Sequence, residues 1–301
     1  MLAILRKELA DYFTSIRFFV LFLLVLATSG YGLFAAYNGM RQALIQSNAA
    51  TGHGFVFLVL FTSGQGIFTL VFFMMILVPI IGIALGFDAI NSERAGGTLS
   101  RLLSQPVYRD SVINGKFLAG IVTLTIMVAT TILLVAGYGL RMIGVPPTAE
   151  EIIRLFLFIV LTVVYGAFWM GLAMLFSVIT RKVSVSLLVA IAIWFVLFLW
   201  TLVGSELAAG IAQSAEGYLT LMRISPLYLF LEATTTILVP AYRLGFMTMT
   251  AGELSYALPN PLSLGQSLLT IWPHLVSFIG LSVVCFGISY VLFMRQEIRA
   301  T

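Results

Sequence analysis

The 301-residue sequence is 60% hydrophobic and 9% charged, with a formal net charge of +4 and a mean hydropathy of +1.08. A soluble domain carries roughly 25% charged residues, so this chain cannot cover a water-facing surface and its solvent must be mostly lipid. The excess of positive charge does not point to nucleic acid, because the Lys and Arg residues gather at the ends of apolar runs, the pattern that sets membrane orientation.

In chain order, residues 1–15 (MLAILRKELADYFTS) come first. Leu2, Leu5, Leu9, Tyr12 and Phe13 recur at helical spacing with Arg6, Lys7, Glu8 and Asp11 between them. This predicts an amphipathic helix able to lie in the bilayer interface; the alternative is the solvated first turns of the next helix. The first apolar run is too long for the h-region of a cleaved signal peptide. Crossing a bilayer takes about 20 apolar residues, and six stretches supply them: 16–37, 66–86, 117–140, 152–179, 183–203 and 268–294. Pro79 lies inside the second and predicts a kink, and Gly82 with Gly86 forms a small-xxx-small pair. Between the first two spans, residues 38–65 read as a polar loop with an apolar patch at 55–61 that would pack on the outer surface. Thr148 with Glu151 three residues on reads as a capping box opening the fourth span. Residues 205–267 form a long mixed region, interrupted by Pro226, Pro240, Pro259 and Pro261. It reads as an extracytoplasmic helical region, with 225–239 able to dip into the membrane.

Six spans place both termini on one side. Arg6, Lys7, Arg94, Arg101, Arg109, Lys116, Arg181, Lys182, Arg295 and Arg299 then share the terminal side, while Arg41, Arg141, Arg154, Arg223 and Arg243 fall on the other. Short loops rich in Lys and Arg stay in the cytoplasm, so the termini and residues 87–116 are expected there, in a multi-pass protein of the cytoplasmic membrane. Trp200 and Trp272 then fall near the outer interface, where Trp is favoured. The whole chain reads as a single all-α transmembrane domain.

No catalytic constellation converges. HExxH, CxxC and GxSxG are absent, and the single cysteine, Cys285, rules out an intrachain disulfide framework. Asn114-Gly115-Lys116 fails as a phosphate loop, since Asp110 stands where the first glycine belongs and Phe117 replaces the hydroxyl residue. Charge inside the spans is nearly absent, which argues against a proton-coupled carrier, and Glu206 and Glu232 are expected in solvated or interfacial positions. Met74-Met75 and Met247/Met249 are soft-metal ligand types but also ordinary lipid-facing residues; no metal site is expected.

The polar island 87–116 carries the functional signal. Gly96 and Gly97 permit a sharp change of direction, Thr98 can cap a helix, and Leu99, Leu102 and Leu103 line one face at i, i+3, i+4. Pro106 stops it. The result is a two-turn helix with an apolar edge, which must be buried either on the lipid interface and the protein's own spans or in a partner's groove.

Glu93-Arg94, Gly97-Thr98-Leu99, Leu102-Leu103, Pro106, Arg109 and Gly115-Lys116 resemble the central signature of ABC-2-type transporter permeases, and the opening Arg6-Lys7-Glu8-Leu9-Ala10-Asp11 resembles their amphipathic first helix. The flavour is closest to the NosY-like branch, with six spans and no fused ATPase. The resemblance implies a pair of permease subunits, this chain with a second copy or a close paralogue, each seated over one of two copies of an ATP-binding cassette subunit. It implies that Thr98 to Leu103 is the coupling helix, with Glu93, Arg94, Arg101 and Arg109 in the same ATPase-coupling interface. ATP and Mg would be bound by the partner, with no cofactor bound directly by this chain. It further implies transport, as an exporter. The large outer region suggests a partner or substrate gate outside, with packing over the dimer as the alternative. A non-transporting membrane scaffold is the alternative. The resemblance leaves the substrate open.

Overall fold

The computed structural model describes residues 1–46, 56–62, 69–97, 108–212, 214–238 and 262–295. The elements are all helical: α1 (Leu2–Thr14), α2 (Ile16–Gln46), α3 (Val56–Thr62), α4 (Leu70–Gly86), α5 (Asn91–Ala95), α6 (Arg109–Ile143), α7 (Ala149–Ile179), α8 (Val183–Ile211), α9 (Ala215–Met222), α10 (Pro226–Leu238) and α11 (Leu264–Arg295). Among the described residues six helices are long and apolar enough to cross a membrane, built on α2, α4, α6, α7, α8 and α11. Each overlaps one of the six stretches expected to span, with ends that differ by up to nine residues. The region expected to form the coupling helix, Thr98, Leu99, Arg101, Leu102, Leu103 and Pro106, lies outside the described residues.

Burial sorts the bundle into a centre and a rim. The apolar windows of α4 and α7 are 78% and 61% buried, against 17% for α8 and α11, so α4 and α7 form the axis and the last two face lipid. The axis is close-packed because α4 turns glycines toward α7. A Cβ on Gly82 would sit 2.6 Å from the Gly166 carbonyl oxygen, and one on Gly86 would sit 2.5 Å from the Met170 carbonyl oxygen. The small-xxx-small pair is therefore a true helix–helix seam.

Local signals set the helix ends. Thr69 caps α4, its hydroxyl accepting from the Phe72 amide. Thr148 and Glu151 form the expected capping box at the start of α7. Gly144 closes α6 with φ +75, a left-handed conformation that a Cβ disfavours.

Two stretches differ from expectation. The apolar patch at 55–61 does not lie on the outer surface: in α3, Phe57, Leu58, Leu60 and Phe61 are all buried. The helix packs among α2, α4, α6, α7 and α10. Its N-terminus is fixed by Glu151, whose Oε1 accepts from the Phe57 amide at 3.0 Å. A helix of two turns cannot hold itself in water, and here apolar burial plus one charged cap replaces that missing stability. The mixed region beyond 203 begins as helix, because α8 continues to Ile211. α9 then packs back on α8, and every residue of α10 except the half-buried Leu229 is buried. At 13 residues, α10 is too short to cross.

Candidate functional site

α1 begins the site. Its residues Ile4 and Glu8 are the buried ones. Ile4 rests on Gly115 of α6, where a Cβ would meet the Ile4 Cγ2 at 2.9 Å. One turn on, Glu8 is only 6% exposed, so its charge needs a partner. That partner is Lys116, whose ammonium reaches Glu8 Oε1 at 2.8 Å and Glu93 Oε1 at 2.8 Å. One buried cation thus joins α1, α5 and α6. Lys7 stands outside this knot, 3.3 Å from Glu8, 3.4 Å from Asp11 and 3.8 Å from Glu93. Burial works against the Lys7 ammonium, but the carboxylates of Glu8, Glu93 and Asp11 outweigh it and hold its pKa above the usual lysine value.

Further bonds close the frame. The Tyr12 hydroxyl donates to the Leu85 carbonyl at 2.9 Å, tying α1 to the end of α4. Burial, then the charges of Glu8, Asp88, Glu93 and Asp11, push the phenol pKa up, so Tyr12 stays a donor. Arg17, at the start of α2, pairs with Asp88 and lies 5.4 Å over the Phe87 ring. From the other side, the Ser177 hydroxyl of α7 accepts from the amides of Ile90 and Asn91 at 2.9 and 3.2 Å, supplying partners for donors at the start of α5. Gly97 leaves α5 with φ +66, a backbone that favours glycine.

The residues singled out from sequence separate as follows. Glu8 and Glu93 face inward on Lys116, while Arg6, Lys7 and Asp11 are exposed. Arg94 and Arg109 are half-buried, and Gly97 is exposed where the described chain pauses. Sequence reasoning missed Lys116 as a pivot, and with it Tyr12 and Ser177 as bond makers. One signal was present: Ile4, Glu8 and Tyr12 share a face at i, i+4, i+8, so an acid sat on a stripe that packs.

The opposite end of the bundle carries a second polar cluster. Glu232 of α10 is not solvated or interfacial as expected but 5% exposed. The chain turns back between α9 and α10, and this brings Arg223 onto it: Arg223 Nε donates to Glu232 Oε2 at 2.8 Å and Nη2 to Oε1. His274 Nε2 of α11 lies 2.9 Å from Glu232 Oε2. Burial alone would raise the Glu232 carboxyl; the hydrogen bonds and charges of Arg223 and His274 overcome it and lower the pKa to about 2. Among the described residues no three His, Cys, Asp or Glu side chains gather as a metal site would require.

A pH dependence follows. The Glu232 carboxyl titrates lower in the folded protein than in the unfolded chain, so its stabilisation is complete above about pH 4.5 and is lost as pH falls toward 2. The expected loss is about 2–3 kcal/mol. Thermal unfolding of purified protein between pH 7 and 3 should show it. Glu232→Gln should be less stable at pH 7 and should show a flatter acid response.

The same end holds the most buried charge of the spans. Arg154 of α7 is fully buried, so the spans are not free of internal charge as expected. It donates to Glu150 Oε1 at 3.0 and 2.7 Å, and to Ser267 Oγ at 3.0 Å. It also reaches the carbonyls of Ile237 at 2.9 Å and Leu262 at 2.8 Å.

Comparison with known proteins places this architecture. Residues 2–298 match the family model described as ABC-2 family transporter protein. The chain is 27% identical over 230 residues to the probable ABC transporter permease protein NosY of Stutzerimonas stutzeri, covering 73% of this chain and 76% of that protein. It is 30% identical over 232 residues to the protein of the same name from Pseudomonas aeruginosa, covering 74% and 77%. With six membrane-crossing helices and a family match along nearly its whole length, the chain is a multi-pass membrane protein that belongs to the ABC-2 transporter family.

Proposed function

We propose that this chain is the permease subunit of an ABC transporter, joined to a second permease subunit and to two copies of a separate ATP-binding subunit, and that it exports its substrate across the cytoplasmic membrane. Family membership and the names of the two relatives support the permease role. The Lys and Arg distribution supports cytoplasmic termini. ATP and Mg would belong to the partner, because this chain carries no nucleotide-binding motif.

The observation that carries the reading is the Lys116 knot. Residues 98–107 join α5 to α6, and Lys116 locks both of those helices to α1. A push delivered to residues 98–107 would therefore not be absorbed by loose ends. It would pass into α1, α4 and α6, and through Ser177 into α7. This is what a force-transmitting handle requires.

The test is a double substitution, Leu102→Asp with Leu103→Asp. Charging the apolar edge of the handle is expected to abolish co-purification with the ATP-binding subunit while the protein still accumulates in the membrane. An intact complex after that change would overturn the handle.

A further inference from the structure

A cavity of about 600 Å³ opens where α1, the start of α2, the end of α4, α5 and α6 meet, inside the range of roughly 300–1,000 Å³ typical of small-ligand sites. Its lining changes character along its length. On α6 it runs from Lys116 to Met127, eleven residues and about 16 Å of helix. On α2 it runs from Arg17 to Phe18 and Leu21. One end is ringed by charge and the other is floored by Phe18, Leu21, Leu85 and Met127. The neighbouring α2 residues Phe19, Val20 and Leu23 are exposed, so this side of the cavity lies next to lipid.

We infer that this cavity is a binding site for a phospholipid with a primary-amine headgroup, of the phosphoethanolamine type, with one acyl chain laid along α2 toward Met127. The shape asks for an amphiphile, polar where the helices leave the membrane and apolar inward. The charges choose the headgroup. Among the described lining residues four carboxylates, Glu8, Asp11, Asp88 and Glu93, face three cations, Lys7, Arg17 and Lys116, an excess of one negative charge. An anionic headgroup with no amine adds to that excess. A zwitterion fits both signs: its ammonium among the carboxylates and its phosphate on Arg17 and Lys7, whose side chains are 60% and 53% exposed and able to swing. Lys116 is already held by two carboxylates. A primary ammonium brings three N–H donors to these acceptors, whereas a quaternary choline brings none. The inference requires only that the bundle spans a bilayer, so it stands apart from the proposed handle.

The test uses the purified full chain in detergent, titrated with phosphatidylethanolamine, phosphatidylcholine, phosphatidylglycerol, and glycerophosphoethanolamine lacking acyl chains. Phosphatidylethanolamine should raise Tm by a few degrees and remain bound in native mass spectrometry, well beyond the other three. Leu21→Trp, which fills the apolar end, should erase that preference, while Leu23→Trp on the lipid-facing side should keep it. If Leu21→Trp does not accumulate, Arg17→Gln at its exposed position must weaken the response. Equal shifts from phosphatidylcholine or phosphatidylglycerol would overturn the headgroup assignment. A full shift from glycerophosphoethanolamine would overturn the lipid. A response unchanged by Leu21→Trp, or by Arg17→Gln in its place, would overturn the site.

Discussion

Lys116→Met is expected to destabilise the protein by about 3 kcal/mol, the lower end of the range of about 3–5 kcal/mol for breaking a buried pair by removing one partner. Lys116 is 4% exposed and sits between two carboxylates. Methionine matches its length and packing but leaves Glu8 and Glu93 facing one another across a desolvated space. Lys7 offsets part of the loss, since it stands 3.3 and 3.8 Å from those two acids, but it is half in water and holds them less firmly. The sign of the second-site change is the sharper check. Adding Glu8→Gln and Glu93→Gln removes the stranded charges, so the triple variant should recover most of the stability lost by the single one. Thermal unfolding of the parent, the single variant and the triple variant measures both steps. A single-variant loss below about 1 kcal/mol, the scale of an exposed pair, would show that the knot is ornamental. The triple variant carries a functional expectation too. Under the proposed function, with the ion pairs gone but packing intact, ATP hydrolysis in the complex with the proposed ATP-binding subunit should persist while transport falls, because residues 98–107 would lose their ionic tie to α1.

Much of this fold was legible in the residues. Apolar length gave the six spans, and Thr148 with Glu151 gave the start of α7, because a capping box is a local device of four residues. Helix ends were less legible wherever a helix outruns its apolar stretch. The third span was expected from 117, yet α6 begins at Arg109. The backbone does not stop hydrogen bonding where Asp110, Asn114 and Lys116 begin, and those residues lie on a turn that packs against α1 rather than on a loop. α3 was illegible for a different reason. Seven residues show too little periodicity to reveal a face, and burial of this piece depends on Glu151, nearly a hundred positions downstream. The polar knots escaped for the same reason of distance. Glu8, Glu93 and Lys116 are each ordinary in their local sequence, and so are Arg223, Glu232 and His274; only the packing of α1 on α6 and of α10 on α11 brings them together. The motif in residues 93–116 is local and legible, but part of it, Glu93 and Lys116, points into the protein.

Arg154→Leu is expected to cost about 3–5 kcal/mol, and the reason lies less in its ion pair than in the carbonyls it serves. Glu150 is 39% exposed at its side chain, so water can take over its charge, and Glu150→Gln should cost less than about 1 kcal/mol. The Ile237 carbonyl has no such recourse, since its bond to Arg154 is buried, whereas the Leu262 bond is only part-buried; a buried acceptor left without a donor costs about 1–3 kcal/mol. Ile237 lies at the end of α10 and Leu262 just before α11, so a single guanidinium clasps the two ends of the segment between them. Lysine is a poor substitute. Its ammonium is a point donor without the planar fork that reaches Glu150, Ser267 and two carbonyls at once, so Arg154→Lys should lose about half of what leucine loses. Thermal unfolding ranks the three variants, and hydrogen exchange at the end of α10 locates the effect, with faster exchange expected around Ile237 in Arg154→Leu and little change in Glu150→Gln. Equal losses in those two would mean that the ion pair, not the carbonyl clasp, is what the fold needs from this arginine.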